Sequence, residues 1–237
     1  RKLFVYFVSL AFVILVGISC YSQTVNCSSW IRIPQLGAAG QFGDLDIPGN
    51  QITVEARFVR VSPYSGSFLY AGDIVSKHYD PTDVNYLLRP GSAEITTSDG
   101  YFITPPVCDF ELNKVYHVAM VYDGVTLKFY RNGYLMSQVA CTGNMVNNNY
   151  PLTIGQNARE LFMSPAEYLD GYVDDVRIWN VARTQVQIRA NLNTAIVNPT
   201  AQPGLLAYYR FNSLNNLQGN PAWNGSLVNG ATISQTN

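Results

Sequence analysis

The chain has 237 residues, of which 47% are hydrophobic and 13% aromatic, enough apolar material for one large core. Only 13% of the residues are charged, about half the usual share of soluble domains, and the formal net charge is −1. Because the sequence has no basic stripe to neutralise phosphates, the composition argues against a nucleic-acid-binding protein.

The first 22 residues have the pattern of a secretory signal peptide. Two basic residues precede the apolar stretch Leu3–Ile18, which only Ser9 interrupts, and small residues at positions 20 and 22 mark a cleavage site before Gln23. The stretch is shorter than the ~20 residues that span a bilayer, so a retained membrane anchor is the weaker interpretation. Lipid attachment to Cys20 is another alternative, although Gly17 stands where a bulky aliphatic residue normally precedes such a cysteine.

Cleavage after residue 22 removes two of the 15 basic residues and no acidic residue, leaving 13 against 16 and a net charge of −3. We expect residues 23–237 to form the mature domain, with no membrane span after cleavage. Since the sequence begins with Arg1 rather than Met, we also expect it to be part of a larger multi-module protein. The export signal predicts that this protein is secreted or held at the cell surface.

Short strands are predicted in chain order from hydrophobic patterning. Residues 51–60 (QITVEARFVR) alternate apolar and polar side chains, which indicates a half-buried strand. Further strands are expected around 74–75, at 86–88, at 94–97 and at 101–104. Residues 115–122 are apolar on both faces, as is typical of a central strand.

Two turn dipeptides predict a three-strand antiparallel meander that begins at Tyr116. Asp123-Gly124 and Asn132-Gly133 are strong hairpin signals, because these residues tolerate the positive φ that tight turns need. A short helix is expected to begin at Thr184, where Gln187 completes a capping box, and a closing strand is expected within 224–233.

The order of four segments resembles the laminin-G-like branch of the concanavalin A-like jelly-roll superfamily. The segments are TVEARF (53–58), YHVAMVYDG with the following FYRNG (116–133), DGYVDDVRIWN (170–180) and LLAYYRF (205–211). The resemblance covers residues 52–211. It implies an all-β fold, a two-sheet antiparallel jelly-roll sandwich with one short peripheral helix, and a secreted domain used mainly for binding.

The resemblance also implies a structural calcium ion at the rim of the sandwich. Strand alternation predicts that Asp174 shares the apolar face of its strand, where a carboxylate is costly unless it is hydrogen-bonded or binds a cation. Asp174, Asn50 and the nearby Asp46 or Asp44 would form the nucleus of such a site, because calcium prefers oxygen ligands. The alternative is that Asp174 accepts backbone N–H groups at a sheet edge.

The loop 77–86 (KHYDPTDVNY) has a composition suited to glycan contact. Aromatic rings stack on the C–H faces of sugars, while Asp and Asn side chains bind hydroxyl groups. The candidate ligand-binding residues are therefore His78, Tyr79, Asp80, Asp83 and Asn85. An ordinary polar loop, turned by Asp80-Pro81, explains the same composition.

Three cysteines remain after cleavage, at positions 27, 108 and 141, and export permits a disulfide. Cys108 and Cys141 flank the central meander and are the preferred pair, while pairings with Cys27 stay open. His117 lies within a predicted strand and is expected to be a packed imidazole rather than a metal ligand.

Three functions are compatible with this sequence. The first is a non-catalytic module that binds a glycan or glycoprotein in adhesion or targeting. The second is a glycoside hydrolase or lyase of the same superfamily, but the Glu-x-Asp-x-x-Glu pattern of its retaining glucanases is missing from the sequence. The third is a structural spacer without a ligand, since a fold does not determine a function.

Overall fold

The computed structural model describes residues 29–33, 39–63, 72–79, 83–158 and 168–234. Within these ranges the chain forms fifteen β-strands, one short α-helix, α1, at Gln185–Ala190, and two 3-10 helices, at Pro199–Ala201 and Pro221–Trp223. In chain order the strands are β1 Trp30–Ile33, β2 Ala39–Gln41, β3 Ile52–Arg60, β4 Val75–Lys77, β5 Tyr86–Leu88, β6 Ala93–Thr97, β7 Gly100–Ile103, β8 Val115–Tyr122, β9 Thr126–Arg131, β10 Tyr134–Ala140, β11 Thr153–Ile154, β12 Gly171–Trp179, β13 Leu205–Tyr209, β14 Ser226–Val228 and β15 Thr232–Ser234.

The strands form two antiparallel sheets, which confirms the predicted all-β sandwich. Sheet 1 has the order β10-β9-β8-β3-β12-β1-β15, with β13 also paired to β12, and sheet 2 has the order β14-β2-β11-β4-β5-β6-β7. The side chains between the sheets form one large hydrophobic cluster, which includes Phe42, Phe58, Leu88, Phe129 and Tyr209. Burying each such side chain stabilises the fold by about 1.5–3 kcal/mol.

The predicted meander is confirmed as β8, β9 and β10. At the second turn both Asn132 and Gly133 have positive φ, of 49° and 75°. At the first turn only Gly124 does, and the Asp123 carboxylate instead accepts the backbone N–H groups of Val125 and Thr126. Each turn therefore uses its aspartate or asparagine in a different way.

The predicted helix is confirmed with its capping box. The Thr184 side chain accepts the backbone N–H of Gln187, and the Gln187 side chain accepts the backbone N–H of Thr184. Ile188 of α1 packs on the outer face of sheet 1, the face turned away from sheet 2, against Ala119, Val121 and Tyr130. No helix in the described ranges is long and apolar enough to cross a membrane.

Strand β3 is buried on both faces, so the prediction of a half-buried strand is wrong. Thr53, Glu55 and Arg57, the polar residues of the alternation, are at most 3% exposed. They lie on the outer face of sheet 1, which the chain after β12 covers. The backbone carbonyl of Val181 and the backbone N–H of Arg183 both bond to the Thr53 hydroxyl.

The predicted alternation of β12 is also wrong, because a bulge interrupts the strand. The register against β3 shifts between Asp174 and Arg177, and Asp175 has a φ of 55°. Before the bulge it is Val173 that belongs to the core, and after it Val176 does. Asp174 therefore faces away from the core side chains of this strand, and the prediction that it shares their face is wrong.

The predicted closing strand is divided between the sheets. β14 pairs with β2 in sheet 2, whereas β15 pairs with β1 in sheet 1. The crossing is made at Asn229-Gly230, where both residues have positive φ.

Candidate functional site

Two residues of the predicted ligand-binding loop are buried scaffold. His78 is 3% exposed, with Nδ1 2.9 Å from the Ser76 hydroxyl. Asn85 is fully buried and donates from Nδ2 to the Val146 carbonyl at 2.8 Å. The His78 contact lies within one segment and the Asn85 bond joins two segments, so both side chains serve the packing of the domain.

Tyr79 and Asp83 are the half-buried members of the same loop, and Asp80 lies outside the described residues. The Asp83 carboxylate accepts the Tyr79 backbone N–H at 3.0 Å. The Tyr79 ring stacks on Tyr150, with ring centroids 4.6 Å apart and planes inclined by 15°. The structure thus gives this loop an aromatic partner, Tyr150, that lies 71 positions away from Tyr79 in sequence.

Beneath this pair, the ammonium of Lys77 is enclosed by oxygen atoms. Its Nζ lies 2.6 Å from Asp44 and 2.8 Å from Asp46 carboxylate oxygens. It also donates to the Asn148 carbonyl at 3.1 Å, the Asn148 Oδ1 at 3.0 Å and the Tyr150 carbonyl at 2.7 Å. We call these five oxygens and Nζ the Lys77 cage. Asp46, a predicted calcium ligand, is therefore a partner of Lys77.

The other two predicted calcium ligands, Asp174 and Asn50, are not part of the Lys77 cage. Asp174 lies directly across from Arg57 in the β3–β12 ladder. Asn50 precedes Arg57 by seven residues along an extended segment, which places it about 20 Å from Asp174. Asp174, Asn50 and Asp46 thus do not fit one calcium site. Within the described ranges, no group of three or more His, Cys, Asp and Glu side chains is arranged to hold a metal ion.

The predicted disulfide is not formed: Cys108 and Cys141 are both free thiols. They lie near opposite ends of sheet 1. Cys108 interacts electrostatically with Arg60, at the C-terminal end of β3. Cys141 is buried beside Tyr122, which pairs with Ile52 at the other end of that strand. Eight residues of extended strand separate the two ends by about 25 Å, far beyond the reach of a disulfide. Burial raises the pKa of the Cys141 thiol to about 11.

The outer face of sheet 1 carries a buried charge cluster centred on Glu55. One carboxylate oxygen accepts the Trp179 indole N–H at 3.0 Å, and the other lies 3.2 Å from His117 Nε2. Arg177 and Arg183 approach the same carboxylate at 3.7 and 3.5 Å. We call these five residues the Glu55 cluster.

Electrostatics keep Glu55 ionised in this cluster. Burial raises the pKa of Glu55, but the hydrogen bond with His117 and the charges of the nearby arginines lower it by more, so its pKa lies below the ordinary value. An ionised carboxylate only accepts hydrogen bonds. His117 Nε2 therefore carries a proton, and Nδ1 is the nitrogen left for other partners; it has no hydrogen-bond partner in the described part of the chain.

A pocket of about 260 Å³ lies next to this cluster, between sheet 1 and the segment after α1. Its lining combines polar side chains with two apolar ones, and we call it the Arg57 pocket. The lining residues are Arg57, Val115, His117, Asn132, Leu192 and Asn193.

The walls of the Arg57 pocket are fixed from both sides. Asn132 Oδ1 accepts the backbone N–H of His117 at 3.0 Å, so its Nδ2 is the group left to donate to a ligand. On the opposite wall, Arg177 donates to the carbonyls of Asn191 at 2.8 Å and Thr194 at 2.9 Å. These two bonds flank Leu192 and Asn193. The Glu55 cluster thus holds the segment that closes the pocket.

A laminin-G family model of the concanavalin A-like lectin/glucanases superfamily matches residues 35–189. The chain belongs to this family. Among curated protein sequences, none matches the chain.

The solved structures that resemble the domain in fold include the following two. A candidate carbohydrate-binding protein of Bacteroides ovatus superimposes with a TM-score of 0.63 at 20% identity, covering 88% of this chain and 60% of that one. The SAP-like pentraxin of Limulus polyphemus superimposes with a TM-score of 0.59 at 16% identity, covering 89% of this chain and 96% of that one. This chain therefore spans three fifths of the length of the Bacteroides protein.

Sequence patterning missed the Arg57 pocket. His117 was expected to be a packed imidazole, and it is buried, but it also lines the pocket. The one available signal was the run of polar residues at alternate positions of β3, together with the single histidine in the otherwise apolar β8. Their meeting depends on the pairing of Arg57 with His117 across β3 and β8.

Proposed function

We propose that this chain is a non-catalytic carbohydrate-binding module of an exported protein and that a sugar binds in the Arg57 pocket. The observation that carries the proposal is the mixed lining of the pocket. Sugars present hydroxyl groups in the ring plane and apolar C–H groups above and below it, so a sugar site needs fixed polar groups beside apolar contacts. Arg57, Asn132 and Asn193 supply the polar groups, while Val115 and Leu192 supply the apolar ones.

The pocket is preorganised for binding. The Arg57 side chain lies between the Trp30 ring, 5.5 Å from its guanidinium carbon, and the pocket. The Asn132 amide is oriented by its hydrogen bond with the backbone of His117. Polar groups that are already fixed lose little conformational entropy when a ligand binds.

The state of the nearby carboxylates favours binding over hydrolysis. Glycoside hydrolysis needs two carboxyl groups on either side of the scissile bond, one of them near water or the sugar. On this face Glu55, Asp174 and Asp175 are no more than 5% exposed. Glu55 and Asp175 are also in ion pairs with Arg177.

The family and one structural neighbour also support a carbohydrate-binding role. The family is one of lectins and glucanases, and the name of the Bacteroides ovatus neighbour refers to carbohydrate binding. Both fit a domain that attaches a larger exported protein to glycans or to a surface glycoprotein. The signal-like residues 1–22 lie outside the described residues, so export is part of the proposal.

The proposal is tested on a glycan array, followed by calorimetric titration of the best ligand. Asn193→Trp places a large ring at the exposed edge of the pocket and should reduce affinity at least about tenfold, since it occupies the sugar's volume. Ala195→Trp is the matched control, because Ala195 is exposed on the same segment but does not line the pocket.

Equal affinity of the two tryptophan variants and the unaltered protein would move the site elsewhere on the domain. Absence of binding to any glycan would favour the spacer. Asn132→Asp then examines one contact: it keeps the Oδ1 acceptor and a residue that tolerates positive φ, but it removes the amide donor. We expect weaker binding without loss of thermal stability.

A further inference from the structure

The Lys77 cage is built from the ligands that a bound cation would use. Its five oxygens come from two carboxylates, two backbone carbonyls and one side-chain amide. These are the oxygen types that calcium takes from proteins. The ion in the cage is an ammonium on a side chain that has no exposed surface.

Distances and charge agree with an ammonium rather than a metal ion. The Nζ to oxygen distances of 2.6 to 3.1 Å are those of charge-assisted hydrogen bonds. Calcium–oxygen bonds are shorter, about 2.3–2.6 Å. The single positive charge faces two carboxylates, one of which, Asp44, is 55% exposed and so remains hydrated.

The cage connects four separate segments. Asp44 and Asp46 precede β3, Lys77 ends β4, and Asn148 and Tyr150 precede β11. Asn148 Nδ2 also donates to the carbonyls of Lys77 and Asp83, which ties in the segment before β5. The carbonyl of Tyr150 is a cage ligand and its ring stacks on Tyr79, so the cage fixes the position of the aromatic pair.

We infer that Lys77 supplies from within the chain the cation that holds this rim together, so that the rim needs no metal ion. The inference is independent of sugar binding in the Arg57 pocket. A second part of the inference concerns the cage after removal of the lysine side chain, which leaves an oxygen-lined cavity with two carboxylates. In that cavity a free cation binds where the ammonium was, and water completes its shell of ligands.

The test compares the melting temperatures of the unaltered protein and of Lys77→Ala in calcium chloride and in EDTA at equal ionic strength. The unaltered protein should melt at the same temperature in both. Lys77→Ala should melt several degrees lower in EDTA, and calcium should restore part of the loss. Propylammonium chloride should restore stability as well, whereas tetramethylammonium, which has no N–H donors, should not.

The matched control is Lys77→Ala combined with Asp44→Asn and Asp46→Asn, in which the response to calcium should vanish. A folded Lys77→Ala protein that responds to neither calcium nor propylammonium would overturn the second part. If Lys77→Ala does not fold, terbium luminescence on the unaltered protein decides the first part. Terbium or calcium binding that Asp46→Asn removes would mean that a metal ion, not Lys77, holds the rim; no such binding supports the inference.

Discussion

The Glu55 cluster and the Lys77 cage hold buried charge in opposite ways. In the cluster a fully buried anion is surrounded by two arginines, an imidazole and an indole. In the cage a cation is surrounded by oxygens, and one carboxylate remains open to water. The two sites should therefore fail differently: loss of Glu55 leaves the fully buried Arg177 charge without a partner, whereas loss of Lys77 leaves carboxylates that water can reach.

The largest effect is expected from Glu55→Ala. It leaves two arginines and His117 without their shared anion, and removing one partner of a buried ion pair costs about 3–5 kcal/mol. Chemical denaturation measures the free energy of unfolding. Lys77→Ala should cost less, about 1–3 kcal/mol, because its carboxylates can be hydrated.

Glu111→Ala serves as the control for the loss of a glutamate, since its ion pair with Lys114 is exposed and should contribute little. If Lys77→Ala proved more destabilising than Glu55→Ala, the contrast between an enclosed and an open site would be wrong.

The next largest effect is expected from acid, which should weaken the Glu55 cluster. The pKa of Glu55 is lower in the folded protein than its ordinary value, so the unfolded state binds its proton more readily. The stabilisation from this shift is therefore present above the unfolded pKa of about 4.3 and is lost as the pH falls through the folded pKa. Denaturation of the unaltered protein and of Glu55→Gln should give a difference that is constant near neutral pH and shrinks below about pH 4.3. A difference that grows on acidification would contradict the sign of the shift.

The smallest effect is expected at the helix that covers the outer face. Thr184→Ala removes the capping hydrogen bond to Gln187 and should cost about 1 kcal/mol. Because α1 lies on sheet 1 and not at the rim, hydrogen exchange should accelerate at Ile188 and its neighbours but not at Lys77. Equal acceleration at both places would show that the two regions are one cooperative unit.

Features that depend on neighbouring residues could be predicted from the sequence. The Asn132-Gly133 turn and the Thr184 capping box are specified within a few positions, and both are present. The bulge at Asp175 could not be predicted, because alternation assumes an unbroken strand, and one extra residue reverses the facing of all that follow.

The sites themselves arise from contacts between distant residues. Glu55 meets His117 across 62 positions and Trp179 across 124. Lys77 bonds with Tyr150 across 73. Such pairs are set by which strands become neighbours, and a single sequence carries little information on that order. For this reason two of the five predicted ligand-binding residues proved to be buried, and the Arg57 pocket was missed.

The division of the last strands between the two sheets has a mechanical consequence. Within the described ranges, β15 and β14 are the outermost strands of sheet 1 and sheet 2, and only the turn at Asn229-Gly230 separates them. Tension applied on the C-terminal side of Ser234 would peel β15 from β1 before it reaches β14. A domain pulled from its C-terminal side would thus lose the β1–β15 pairing first. The two sheets that carry the Glu55 cluster and the Lys77 cage would stay packed.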